Sequence, residues 1–275
     1  VMGKSISENT MRSGFTPDLA SRGGLTGFTR LAEVELYKRE NQLLMERHLR
    51  EFHELYPSDK IYPAVIDGEP VPTDTLVSSL NPADPSHVIG RVHYTSREHA
   101  KRAIQAGRNA LAGWARKTAR ERAEILQQAA LQMKGERFQL AALIVMETGK
   151  TWDESLKDVD EAVDFLNYYA VHAIHLEEQD GAVTRSEKWR HHRRVPRGVV
   201  GVIAPWNFPL AILTGMTAGA LASGNTVIMK PSDESPVIAS ELARILVESG
   251  IPKGVLQYLP GRGREVGEEL AQHED

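Results

Sequence analysis

Cysteine is absent from all 275 positions, so this chain carries no disulfide, no zinc–thiolate site and no thiol nucleophile. No long apolar run is present either. The longest stretch, around 199–204 and 210–213, is broken by Pro205 and Pro209 and is far too short to span a bilayer. A large excess of charge of one sign is also missing: the formal net charge is −4, which gives no reason to expect nucleic acid or an anionic membrane as partner. The first residues lack a basic-then-apolar targeting pattern. Together these absences lead us to expect a cytoplasmic protein. What is present is ordinary for a globular chain, with 41% hydrophobic and 25% charged residues. That is enough sequence for one large domain or two modest ones.

The chain changes character along its length. Residues 11–30 are rich in Gly, Ser and Thr without a sustained period and read as a linker or ordered loop. The charged, glycine-free stretch 31–56 predicts a helix, and Pro57 with Ser58 ends it. Short strands are expected over 61–77, with turns at Asp67-Gly68 and Pro72, and a further turn at 81–85. Helices follow at 96–111, 119–133, 138–147 and 153–177. In the last of these, Leu156, Val159, Val163, Leu166, Ala170 and Ala173 keep the three- and four-residue spacing of one apolar face.

After Gly181 the pattern alternates. The β-branched run 199–204 predicts a buried parallel strand, then come a helix over 210–222 and a second apolar strand at 226–230. For the next helix, Ser235 is placed to accept backbone hydrogen bonds as N-cap, Pro236 suits the first turn, and Gly250 suits the left-handed position at its end. A third strand at 255–259 runs into a glycine cluster and a final helix. Strand–helix–strand–helix–strand spells a parallel βαβαβ unit, half of a Rossmann-like α/β sheet, preceded by a helical layer.

Three features carry chemistry. Gly261, Gly263 and Gly267 form Gly-x-Gly-x-x-x-Gly between a strand and a helix, where a backbone can approach a pyrophosphate next to free helix N–H groups. A strand-to-helix turn needs glycine in any case, so the cluster alone is weak. Lys230-Pro231-Ser232-Asp233 lies at the carboxyl end of a predicted parallel strand, where open α/β sheets bind ligands. There an ammonium can donate to ribose hydroxyls and a carboxylate can accept from them. The basic run 190–194 is the third. Its adjacent His191 and His192 would point to opposite faces of a strand, so a shared metal is not expected, and no metal site is assigned.

Gly201-Val-Ile-Ala-Pro-Trp-Asn-Phe-Pro209, followed by Gly224-Asn-Thr-Val-Ile-Met-Lys-Pro-Ser232, resembles the aldehyde dehydrogenase superfamily. Glu147-Thr148-Gly149-Lys150 and the stretch from Asn81-Pro82 to Trp114 match the same family in its N-terminal helical layer and are assigned structural roles. The resemblance implies an incomplete aldehyde dehydrogenase fold over 61–275 with NAD as cofactor, NADP being the alternative. Ile203, Ala204, Pro205 and Trp206 would line the cofactor; Lys230, Ser232 and Asp233 would hold the adenosine ribose; and Gly261, Gly263 and Gly267 would lie along the pyrophosphate. Asp233 stands where the family usually has Glu. Asn207 would be the catalytic amide that stabilises the oxyanion formed when a thiolate attacks a small aldehyde; an ordinary Asn turn is the plainer reading.

The family's Cys, its general-base Glu and its substrate-side domain have no counterpart in this chain. We therefore expect the chain alone to be inactive. The missing catalytic region would be supplied in cis or by a second chain, and the complete enzyme would be a homo-oligomer. Ile6-Ser7-Glu8-Asn9-Thr10 faintly resembles the segment closing the proline dehydrogenase barrel of bifunctional proline-utilisation enzymes. There Glu8 would contact proline, but Lys4 and Ser5 stand where paired arginines are expected. Residues 1–60 would then be a linker and helical segment, the tail of a preceding proline dehydrogenase domain that carries FAD, and the aldehyde would be glutamate γ-semialdehyde. The alternative is a non-catalytic truncated paralogue, or half of a split enzyme, acting as a nucleotide-binding or interaction module.

Overall fold

The computed structural model describes residues 27–55, 60–178, 181–183, 190–192 and 194–275. Residues 1–26, including the Glu8 segment, lie outside the described residues. The helical layer comprises α1 (Arg39–Leu55), α2 (Arg97–Ala115), α3 (Ala119–Gly135), α4 (Arg137–Thr148) and α5 (Trp152–Glu178). The expected helix at 31–56 begins only at Arg39. Before it, Leu31 donates its amide to Asp164 Oδ1 at 2.8 Å and Arg137 donates to the Ala32 carbonyl, so the approaching chain is bound along α5 and α4 instead of coiling.

β1 (Ile61–Tyr62), β2 (Ala64–Ile66), β3 (Glu69–Val71), β4 (Leu76–Asn81) and β5 (Asp84–His93) come between α1 and α2. β1, β5 and β4 form one sheet, with β1 parallel and β4 antiparallel to β5. The ten-residue β5 has no counterpart in the sequence reading. Pro85, His87 and Gly90 interrupt any alternation there, and the strand is held by pairing on both sides. A short hairpin, β6 (Gly181–Val183) with β7 (Arg190–His192), follows α5.

The second sheet has the order β3-β2-β10-β9-β8, in which β8 (Val199–Ile203), β9 (Thr226–Lys230) and β10 (Leu256–Tyr258) are parallel. α6 (Ala211–Ala222) and α7 (Pro236–Glu248) connect them, as the predicted βαβαβ unit requires. β9 is buried at all five positions. Its alternate side chains go to opposite faces: Val227 and Met229 join the main core with α6 and α7, while Ile228 packs with Ala103, Ile104 and Val266 on the α2 side.

β8 corrects the expectation of a fully buried strand. Among the described strands it pairs only with β9, and its face is half open, with Ile203 47% exposed. A β-branched run reports strand propensity, not how many neighbours the strand has. The glycine cluster forms one wide π turn (Gly263–Gly267) leading into α8 (Glu268–Gln272).

Candidate active site

The register Ile203↔Lys230 sets the carboxyl ends of β8 and β9 side by side, and Ala204 donates its amide to the Lys230 carbonyl at 3.2 Å. Two loops leave this edge together. One, 204–210, carries Pro205, Trp206 and Asn207; the other, 231–235, carries Ser232 and Asp233. The structure thus brings Ile203, Ala204, Asn207, Lys230 and Asp233 to one edge of one sheet.

Lys230 is 4% exposed, and its ammonium donates to the Pro231 carbonyl at 2.6 Å and to Asp233 Oδ1 at 3.2 Å. The shorter Asp therefore reaches the lysine. The Asp233 carbonyl is fixed separately by the Tyr94 hydroxyl, which donates at 3.2 Å. Burial first, then the negative charge of Asp233, pushes the Tyr94 phenol up to about 12, so it remains a donor at neutral pH. Ser232 Oγ accepts from the Glu234 amide in a local turn.

Of the three glycines, Gly261 is held by packing: a Cβ there would meet the Thr95 carbonyl at 2.8 Å. A Cβ on Gly263 would meet nothing within 4 Å, and one on Gly267 would lie 3.9 Å from Lys230 Cδ. Gly263 thus borders open space and Gly267 approaches the lysine stem.

Asn207 is exposed, and its side-chain amide makes no hydrogen bond among the described residues. Its backbone is held instead: Lys150 Nζ donates to the Asn207 carbonyl at 3.0 Å and lies 4.0 Å from the centroid of the Phe208 ring. Trp206 and Phe208 are 55% and 39% exposed, leaving an apolar surface beside Ile203. The donor set suits a dinucleotide: an ammonium–carboxylate pair for a diol at one strand end, and an uncovered aromatic and aliphatic wall at the next.

The residues that hold these loops were not read as part of the site. Asp158, fully buried on α5, accepts from Lys150 at 2.8 Å and from the Ala211 amide at 2.7 Å. Desolvation raises its pKa, opposed by the Lys150 interaction. The signal was available: a carboxylate between apolar Leu156 and Val159 requires a partner. Glu147 corrects the N-cap assignment. Ser235 occupies the cap position of α7 but its side chain makes no capping bond. The Glu147 carboxylate does so instead, accepting from Val237 at 2.7 Å and Ile238 at 2.9 Å.

Among the described residues no group of three or more His, Asp or Glu is placed to hold a metal, and no helix is long and apolar enough to cross a membrane.

Residues 71–275 match the model of the aldehyde dehydrogenase family. The chain is 43% identical over 214 residues to 1-pyrroline-5-carboxylate dehydrogenase 2 of Bacillus subtilis, covering 78% of this chain and 42% of that protein. The NAD-bound structure of 1-pyrroline-5-carboxylate dehydrogenase from Thermus superposes with a TM-score of 0.82 at 37% identity, covering 90% of this chain and 48% of that one. Proline utilization A from Bdellovibrio bacteriovorus gives a TM-score of 0.84 at 34% identity, over 90% of this chain and 26% of that one. The chain spans less than half the length of the curated relatives it matches.

Proposed function

The chain belongs to the aldehyde dehydrogenase family, and from that premise we propose that it is the cofactor-binding portion of an enzyme oxidising glutamate γ-semialdehyde to glutamate. This aldehyde is the open form of 1-pyrroline-5-carboxylate. One observation carries the reading: the free Asn207 amide and the Lys230–Asp233 pair stand on adjacent loops at the carboxyl ends of neighbouring parallel strands. The relatives' names supply the substrate.

In this reading Lys230 and Asp233 bind the ribose hydroxyls, with Ser232 beside them. Ile203, Ala204, Pro205 and Trp206 form the wall for the nicotinamide end, and Gly261, Gly263 and Gly267 border the pyrophosphate. The acidic Asp233 disfavours a 2′-phosphate, so NAD is the expected cofactor over NADP. NAD, when bound, accepts the hydride. Asn207 donates to the carbonyl oxygen as it gains charge under attack by a thiolate, and that thiolate comes from polypeptide outside these 275 residues. We also place residues 1–60 as a linker behind an FAD-bearing proline dehydrogenase domain, a proposal supported by the likeness to proline utilization A. The complete enzyme is proposed to be a homo-oligomer.

The cofactor half is tested by calorimetric titration of the chain with NAD; no heat of binding removes it. The substrate half is tested in a longer, thiol-bearing form by NADH formation from 1-pyrroline-5-carboxylate. Faster turnover of an unrelated aldehyde would move the assignment. A second reading rests on the lack of any thiol: a nucleotide-binding module, or half of a split enzyme. It predicts NAD binding with no longer form that reduces NAD, or activity only with a second chain.

A further inference from the structure

We propose that the turn Glu147-Thr148-Gly149-Lys150 is the common mount of both loops of the site, Lys150 positioning the Asn207 loop and Glu147 the Lys230–Asp233 loop. The inference deepens the reading above and rests on it for the roles of the loops.

Lys150 is built as a brace. Its ammonium makes three contacts at once: the Asn207 carbonyl at 3.0 Å, Asp158 Oδ2 at 2.8 Å and the Phe208 ring at 4.0 Å. Asp158, with its other oxygen, accepts the Ala211 amide at 2.7 Å. The ion pair therefore grips the loop at Asn207 and again where α6 begins. Residues 205–208 are otherwise exposed, so the backbone that carries the Asn207 amide is held from behind.

Glu147 does the same for the other loop. It is 2% exposed, and besides Val237 and Ile238 it accepts the Ser79 hydroxyl at 2.8 Å. Val237 lies four residues beyond Asp233, and the Pro236 carbonyl between them accepts from Tyr258 at 2.7 Å. With Tyr94 on the Asp233 carbonyl, the loop is fixed at both ends by groups beneath it. A buried carboxylate with three donors and an ammonium with three partners are costly to assemble away from water. Here both are aimed at site loops, where small misplacements cost rate and affinity. The left-handed Gly149, at φ +71°, ends α4 between them, and a Cβ there would lie 3.1 Å from Pro82 Cγ. The two braces are thus set on either side of one tight helix end.

The test compares backbone hydrogen exchange by peptide and NAD titration in the chain carrying Lys150→Met or Glu147→Gln. We expect Lys150→Met to raise exchange at 205–211 while leaving 232–238 protected. We expect Glu147→Gln to raise exchange at 232–238 and to weaken NAD binding about tenfold, because a Gln amide offers one acceptor oxygen where the carboxyl group offers two to its three donors. If both variants loosen the whole domain alike, or neither loosens its own loop, the mount is refuted and the turn is only part of the core. Should Glu147→Gln not fold, Glu147→Asp, whose shorter carboxylate retracts from the Val237 amide, takes its place with the same expectations. A wild-type chain that binds no NAD overturns the cofactor reading alone, because the exchange patterns still decide the mount.

Discussion

The Tyr258 hydroxyl, fully buried at the end of β10, donates at 2.7 Å to the carbonyl of Pro236, the first residue of α7. This bond ties the third parallel strand to the helix that begins behind the Lys230–Asp233 loop. Tyr258→Phe should lower unfolding free energy by about 1 kcal/mol, the usual net value of one such bond. Urea titration of the two proteins measures it, and an unchanged midpoint would show the hydroxyl to be idle.

Asn207 and Lys230 should separate cleanly in kinetics. In a thiol-bearing form, Asn207→Ala should reduce kcat by roughly 10²–10³, the loss typical of one oxyanion donor, with NAD affinity kept. Lys230→Met should do the reverse in emphasis. It removes the proposed ribose donor and leaves Asp233 without its 3.2 Å partner, so the KM for NAD should rise. Equal effects of both changes on NAD binding would dismiss the division of roles.

Much of this was legible from sequence, for identifiable reasons. The three parallel strands and their helices were visible because β-branched runs alternate with amphipathic stretches, and Gly250, at φ +109°, sits where the end of α7 was expected. The two candidate loops stood out because Asn207 and Lys230 stand in distinctive segments. What stayed hidden depends on distant partners. β5 reads poorly because pairing, not pattern, makes it a strand. The openness of β8 is a matter of neighbours. Asp158 lies 53 residues from the amide it holds, and Glu147 lies 90 residues from Val237; no local window contains either pair.

Stability should fall as pH rises through the neutral range. Desolvation raises Glu147 from 4.5 to about 7 despite its three donors, and raises Asp160 from 3.8 to about 6 despite Arg137. Between those limits the folded chain holds more protons than the unfolded one, so its advantage is complete below the unfolded values and is lost as pH climbs through the folded ones. Urea midpoints should be lower at about pH 7.5 than at about pH 5, and Glu147→Gln should flatten the difference. A steeper slope in that variant would contradict the assignment.

The half-open β8 has a physical cost. Its outer edge presents backbone donors and acceptors with no described strand beside them, next to exposed Ile203, Trp206 and Phe208. Such an edge invites association. Sedimentation velocity of the isolated chain should show concentration-dependent self-association; a monodisperse monomer at every concentration would count against this.

Three helices begin on borrowed charge. Asp158 of α5 meets the first amide of α6, Glu177 of α5 meets the Ala119 amide at 2.9 Å, and Glu147 of α4 meets two amides of α7. Each carboxylate faces the positive end of a helix dipole on a separate element. For α6, which has no side-chain cap of its own, the start is therefore a property of the assembled layer: a peptide of α6 cut from the protein would lose its starting point. Synthesis in order along the chain leaves α5 waiting, its two acids unpaired or paired only backwards, until α6 emerges to claim Asp158.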